Sequence, residues 1–394
     1  MRVVLAGLCR TPVGALGGAL SSLHATDLGA AVARAVLART GMDPGELDEV
    51  IAGSGGQPVA EANIARQIAL AAGVPVRVPA FSVQRNCASG FQAVTSAADA
   101  ILAGRARAIL ALGAESMSQA PYLDYTGRFG QRLRHRELRD ALWEGMTDRY
   151  SGLVMGETAE LLAERFAVSR SEQDAYAVQS HRRAVAAVGS GAMEAEIVPV
   201  TVMRRTGPVE VTLDEGPLPS ASPERLAALP PAFRAGGTVT AGNACPMNDA
   251  AAGCLVLSED EARRRGIRWD AILVSYAYVG VEPREMGLGP VEAVPLALER
   301  AGLELADCDL VELNEAFAVQ ALVCERLLGL HPERTNVQGG ALALGHPVGA
   351  TGLRLLTTLA HALARRGGRF GLATLCVGGG MGAAIVIERT AEEG

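Results

Sequence analysis

The chain is short of positive charge: 36 Lys and Arg stand against 43 Asp and Glu, a formal net charge of −7. That balance argues against general nucleic-acid binding, which needs a basic face. It leaves room for an anionic small ligand, because a local Arg or a helix N-terminus can outweigh the global sign. Aromatic residues are scarce at 4%, while glycine is plentiful at 46 of 394 residues. That combination predicts many tight turns and close backbone approaches rather than a bulky aromatic core. The seven cysteines, Cys9, Cys87, Cys245, Cys254, Cys308, Cys324 and Cys376, include no CxxC pair. Neither a disulfide framework nor a metal site is expected. Free thiols fit a reducing compartment, so a cytoplasmic location is expected. No uncharged apolar run reaches the roughly 18 residues of a membrane span. Residues 1–8 are apolar but short, and read as a buried strand rather than a signal peptide.

What the chain does have is hydrophobic mass, 49% of its residues, at a length that suggests two to three domains. It also has an internal echo. Residues 37–50 resemble residues 298–311: each stretch ends an amphipathic helix pattern (28–37 and 291–298) and passes Gly41 or Gly302. An acidic turn and then a strand follow (50–52 and 310–312). A duplicated α/β unit explains the match. The continuation is also alike. Residues 80–115 read as strand, turn at Cys87, helix 92–102 and strand 108–112. Residues 335–376 read as Gly-rich turn, helix 351–365 and strand 370–375. Strands alternating with helices predict βαβ units and largely parallel sheets. Residues 118–247 differ. They carry charge runs over 128–149, helices at 158–166 and 171–188, a Pro-rich segment over 216–231, and weak β-character. Such a long insertion reads as a lid or binding region. The expected division is 1–117 with 248–270, then 118–247, then 271–394.

Four motifs could carry chemistry. Asn86-Cys87-Ala88-Ser89-Gly90 puts a cysteine at a strand-to-helix turn, at the positive end of a helix dipole, where a thiolate is favoured; the alternative is a small buried residue in a tight turn. Gly345-His346-Pro347-Val348-Gly349 sets one histidine among glycines, where backbone can approach a ligand. His24, His135, His181, His331 and His361 read as surface or helix-face residues. Cys376-Val377-Gly378-Gly379-Gly380 ends a strand in a loop whose N–H groups could form an oxyanion hole. Neither this loop nor Gly53-Ser54-Gly55-Gly56 fits a phosphate or dinucleotide fingerprint. Asn314-Glu315-Ala316-Phe317 follows an apolar strand at the edge where ligands of α/β sheets sit, with helix capping by Asn314 as the competing role. Two cysteines with one histidine suit chemistry that needs a nucleophilic thiol and a second thiol acting as acid and base.

These motifs, with 113–118, 155–160, 237–243 and Asn248-Asp249, stand in an order that resembles the thiolase family over essentially the whole chain. The resemblance implies a fold of duplicated βαβαβαββ halves in a five-layered α-β-α-β-α core, with 118–247 as an inserted coenzyme A-binding loop domain. It implies that Cys87 takes the acyl group, with His346 receiving its proton. Cys376 would move the α-proton, Asn314 would hold a water beside His346, and the Cys87 and Gly378 N–H groups would form an oxyanion hole. Met155 and Met286 match acyl-pocket methionines, and Phe233, Ala241 and Phe317 match pantetheine contacts. Cys245 replaces a serine that touches the pantetheine. Val154 stands where short-chain biosynthetic members carry histidine, and Leu218 where an arginine often meets the adenine; Arg225 is the candidate substitute cation. Pro246 and Gln338 also depart from the commonest residues. The implied partners are acyl-CoA and coenzyme A as substrates, with no permanently bound cofactor, no nucleic acid and no membrane, in a homodimer or homotetramer. The implied activity is acetyl-CoA C-acetyltransferase. The alternatives are a degradative 3-ketoacyl-CoA thiolase of broader chain length and a catalytically silent CoA-binding homologue.

Overall fold

The computed structural model describes residues 1–56, 59–130, 132–133 and 135–389. Residues 390–394 of the expected C-terminal half, and Gln131 and Arg134 of the expected charge run, lie outside the described residues.

The N-terminal half runs β1 (Val3–Arg10), α1 (Ala25–Thr40), β2 (Glu49–Gly53), α2 (Ile64–Ala71), β3 (Ala80–Val83), α3 (Ser89–Leu102) and β4 (Ala108–Ser116). The inserted region follows, with α4 (Met155–Arg165) and α5 (Arg170–Gly189) as its longest helices. The chain returns as β5 (Asn248–Ser258). The second half is β6 (Ala271–Gly280), α6 (Gly289–Ala301), β7 (Leu310–Leu313), α7 (Ala318–Leu328), α8 (Val348–Arg366), β8 (Phe370–Val377) and β9 (Met381–Glu388).

The echo read in the sequence is thus a structural repeat. The main strands lie in the order β7-β8-β9-β6-β1-β5-β4-β2-β3. The halves meet where β1 and β6 pair over only three positions, Val3–Leu273 to Leu5–Ala271. The second half's counterpart of β3 is reduced to a single parallel bridge, Val311–Thr335. The expectation of largely parallel sheets needs correction. Pairs β2–β3, β2–β4 and β7–β8 are parallel, but the remaining pairings of the main sheet are antiparallel. In the second half β8 turns directly into β9, whereas in the first half β4 reaches β5 through the inserted region. Only a helical crossover enforces parallel pairing.

Alternation along the strands sorts side chains into three cores. Val4 and Ala6 of β1, with Leu110 and Leu112 of β4, face α1 and α2. Val3, Leu5, Ile109 and Ala111 face the other way, onto α3 and α8, which also cover Leu375, Ile385 and Ile387 of the second half. Leu372, Ala384 and Val386 pack on α6 and α7. The layers are therefore helix, sheet, helix, sheet, helix. Strands covered on both faces are apolar throughout, which is why β4 is buried at all nine positions.

The central helices touch almost backbone to backbone. A methyl added at Gly90 would lie 2.9 Å from the Leu353 nitrogen, and one at Gly352 would lie 2.6 Å from the Phe91 nitrogen. The inserted region has more β-structure than expected, with small hairpins at Tyr122–Leu123/Arg139–Asp140 and Val200–Arg204/Gly207–Val211. Its Pro-rich segment contains a short helix, Pro223–Ala227. Among the described residues no helix is long and apolar enough to cross a membrane.

Candidate active site

Cys87 lies in the turn between β3 and α3, as the sequence predicts. Asn86 before it adopts φ +43°, a left-handed conformation that asparagine tolerates better than most residues. Its carbonyl accepts from the Ser89 N–H at 3.0 Å and the Ser89 hydroxyl at 2.7 Å. Its side-chain Nδ2 donates to the Gly378 carbonyl at 2.8 Å. The turn of one half is thereby pinned to the glycine loop of the other.

The backbone N–H groups of Gly378 and of Cys87 itself favour the ionised Cys87 sulfur. Burial raises the thiol pKa above its ordinary value and the Glu115 charge adds to this, while those two N–H groups act the other way. Cys376, at the end of β8, is 2% exposed. Its thiol is held well above the ordinary range by burial first, then by Cys87, Cys324 and Cys245. Cys245 is pushed up to about 12 by burial and by Cys87. Its N–H donates to the Ala316 carbonyl at 3.0 Å.

Five expected residues share one apolar cluster. Cys376, Met286 and Phe317 are buried in it, with Met155 and Phe233 packed against it. The Phe233 and Phe317 rings meet edge to face, centroids 6.2 Å apart. The Met155 sulfur lies 3.4 Å from where a methyl on Gly378 would sit. Val154, just before α4, is buried as well. Two expected contacts are not drawn into this cluster: Ala241 and Arg225 are exposed, Arg225 on the short helix of the Pro-rich segment.

His346 sits in the turn before α8. The preceding Gly345 has φ +103°, and a methyl there would fall 2.4 Å from the Asn248 amide. Glycine lets Asn248 Oδ1 accept the His346 N–H at 3.0 Å. The ring Nδ1 is 2.8 Å from Thr351 Oγ1, and that hydroxyl donates to the Pro347 carbonyl at 2.8 Å. A hydroxyl has one hydrogen, so Thr351 accepts from Nδ1–H and leaves Nε2 bare. Burial, followed by the charge of Arg354, lowers the His346 pKa to about 4. The imidazole is a neutral acceptor at ordinary pH.

Asn314 does not cap a helix: α7 begins at Ala318 with Phe317 as its cap. Instead its Nδ2 lies 3.5 Å from His346 Nδ1, and its buried Oδ1 has no partner among the described residues. His181 is another departure. It is buried, and accepts the Leu218 N–H at 3.3 Å.

Several contributors had no signal of their own in the sequence. Thr351, Asn248 and Asn86 position the candidate groups. Glu115 accepts N–H groups of Gly55 at 2.7 Å, Gly56 at 2.9 Å and Gly349 at 2.8 Å. The first glycine run therefore grips a carboxylate of the protein rather than a phosphate. Asn86 is the one that could have been read: an asparagine at a strand-to-helix turn is a candidate for positive φ.

The assembly is a thiol site at the junction of two repeated halves, with one thiol beside backbone donors, another at a strand end, and a neutral histidine. Comparison with known proteins gives the family of the chain. Residues 3–260 match the family described as "Thiolase, N-terminal domain", and residues 267–389 that described as "Thiolase, C-terminal domain". A probable acetyl-CoA acyltransferase of Staphylococcus aureus (strain COL) is 46% identical over 390 residues, 98% of this chain and 99% of its own. The acetyl-CoA acetyltransferase of Bacillus anthracis superposes with a TM-score of 0.97 at 44% identity, covering 99% of each chain. Human mitochondrial 3-ketoacyl-CoA thiolase in complex with CoA superposes with a TM-score of 0.95 at 42% identity, covering 99% of this chain and 98% of that one. The chain belongs to the thiolase family. It is an acyltransferase.

Proposed function

We propose that the enzyme is an acetyl-CoA C-acetyltransferase, joining two acetyl-CoA into acetoacetyl-CoA and free coenzyme A, reversibly. The observation that carries the residue assignment is the Cys87 turn, pinned to the Gly378 loop of the opposite half by the 2.8 Å hydrogen bond from Asn86 Nδ2 to the Gly378 carbonyl.

In a dry site the resting pair is a neutral thiol and a neutral imidazole. The Cys87 proton passes to His346 as the sulfur attacks the thioester carbonyl. The carbon–sulfur bond to coenzyme A breaks, and coenzyme A leaves as a thiol with the proton from His346. The oxyanion formed at the carbonyl is met by the Cys87 and Gly378 N–H groups; one such donor contributes about 3 kcal/mol. Cys376 acts as the base once its own thiol proton has been lost to solvent; as the thiolate it takes an α-proton from a second acetyl-CoA. The enolate carbon attacks the acetyl group on Cys87, forming the carbon–carbon bond and breaking the carbon–sulfur bond, and the expelled Cys87 sulfur takes up the proton from Cys376. The unpartnered Asn314 Oδ1 supports a water held there, which would donate to the enolate oxygen; His346 Nε2 joins it only while it carries a proton.

Residues 118–247 are the proposed coenzyme A-binding region. Met155, Met286, Phe233 and Phe317 would contact acyl and pantetheine groups, with Ala241, Cys245 and Arg225 along the path outward. The intended setting is the cytoplasm, as a homodimer or homotetramer; the edge position of β3, with Phe81 exposed, is compatible with pairing to a second copy. A second reading, a 3-ketoacyl-CoA thiolase of broader chain length, is favoured by the buried apolar Val154 beside the Met155–Met286 cluster.

Incubation with labelled acetyl-CoA, followed by peptide mapping, tests the assignment. The label is expected on Cys87 in the wild type and in Cys376→Ala, and on no residue in Cys87→Ala. A stable label on Cys245 or Cys376 instead would overturn it.

A further inference from the structure

Helix α8 is apolar and buried along most of its length, yet one face is polar. Thr351, Arg354 and Thr358 are spaced three and four apart, one stripe of a helix. Each meets a polar group of another segment: Thr351 holds His346 at 2.8 Å, Arg354 Nη1 donates to Glu312 at 3.3 Å, and Thr358 donates to Glu196 at 3.3 Å. Arg354 is 1% exposed. Its Nε and Nη2 have no partner among the described residues. A guanidinium keeps its charge in proteins, so a cation with one weak ion pair is fixed one turn along the helix from the residue that holds the imidazole.

The other charged groups nearby act on Arg354 without pairing with it: Glu196 and Glu315 favour its charge, and Arg10 opposes it. From the inserted region, Glu196 and Asp214 bind Arg10 of β1 at 2.8 and 2.6 Å. From the segment after β7, Glu315 accepts from Ser180, Asn336 and the Leu342 N–H. From β4, Glu115 is bound by three backbone N–H groups. Cys87 and Cys376, from the α3 turn and β8, have their ionisation opposed by burial. Among the described residues Glu312 alone forms an ion pair with Arg354, and burial pushes its carboxyl up to about 8, so it offsets the cation only in part.

We propose that Arg354 is a positioning residue for His346: its incompletely offset buried charge adds to burial in keeping the imidazole unprotonated and so sets the acid edge of the working pH range. The proposal rests on the reading of His346 as the base. The direction agrees with the charge of Arg354 acting on His346 alongside burial.

The test compares Arg354→Gln, Arg354→Lys and Glu312→Gln in the full-length enzyme. Two quantities are read: the acid limb of kcat/KM for acetoacetyl-CoA cleavage, and the His346 titration by NMR of histidine-labelled protein, assigned with His346→Asn. Arg354→Gln is expected to move both upward by about half to one pH unit. Arg354→Lys is expected to hold them at the wild-type position. Glu312→Gln breaks the same ion pair but keeps the cation, so it leaves them in place or lowers them. A merely structural pair would make Arg354→Gln and Glu312→Gln equally impaired with the limb unmoved, and that result overturns the proposal. If Arg354→Gln does not fold, Arg354→Met/Glu312→Leu, which leaves no unpaired buried charge, carries the same expectation, and an unmoved limb is again contrary. A His346 titration that shifts while the activity limb stays put would uphold the charge coupling and reject His346 as the base.

Discussion

His346 is denied a charge by its surroundings, and that has a consequence for stability as well as chemistry. Its pKa falls from an ordinary 6.5 to about 4 in the folded protein. Between those values the unfolded chain binds more protons than the folded one. The stabilisation is therefore complete above pH 6.5 and is lost as pH falls toward 4. From pH 7 to pH 5 this residue is expected to remove about 2 kcal/mol of stability. His346→Asn should flatten that part of the profile, read by urea unfolding of both proteins at the two pH values. Equal slopes would mean that the imidazole titrates alike in both states. The three thiols near one another differ in the same environmental sense. Cys376 and Cys245 both have burial and then Cys87 against ionisation, whereas Cys87 has two N–H groups acting against its burial.

Among the elements, the α3–α8 contact decides how the halves of the site meet. Gly352 lies against the Phe91 backbone, which cannot yield as a flexible side chain can. Gly352→Ala is expected to cost about 1–3 kcal/mol. It should also lower kcat, because the displaced segment carries Thr351 and, through it, His346; melting temperature and turnover of the purified variant check both. Unchanged values would show that the helices have slack. This layer also separates what the sequence makes legible from what it does not. The repeated helix–glycine–strand pattern exposes the duplication, since periodicity and a left-handed Gly41 or Gly302 are local signals. Cys87, His346 and Cys376 are legible as reactive residues in or beside glycine-marked turns, and Asn314 as a polar residue at a strand end. Thr351 and Arg354 are not, because a polar residue in an apolar helix shows its purpose only once its neighbours are in place. The antiparallel pairing of β8 with β9 is hidden for a related reason: a strand run does not state its direction. Arg225 and Ala241 came from resemblance alone, and no local pattern could have shown that they lie exposed.

Across the whole molecule, the inserted region is fastened to the core by a buried ion cluster. Arg10 of β1 binds Asp214 through two nitrogens, at 2.6 and 2.9 Å, and Glu196 at 2.8 Å. The partners lie far apart in sequence, 204 positions for Arg10–Asp214, so no short motif could reveal them. Removing one partner leaves an uncompensated buried charge, and Arg10→Met is expected to destabilise the protein by about 3–5 kcal/mol. Denaturant unfolding measures it; a loss below about 1 kcal/mol would mean that water or another cation replaces the arginine. The same fastening holds the proposed coenzyme A region over the thiols, so whole-molecule geometry and substrate range are linked. The direct test of the central claim is the rate of coenzyme A-dependent cleavage of acetoacetyl-CoA and of 3-ketohexanoyl-CoA, by the wild type and by Cys87→Ser. The expected result is cleavage of acetoacetyl-CoA in clear preference, abolished in Cys87→Ser. Preference for the longer substrate would make the enzyme the broader thiolase, and full activity in Cys87→Ser would contradict the account at its centre.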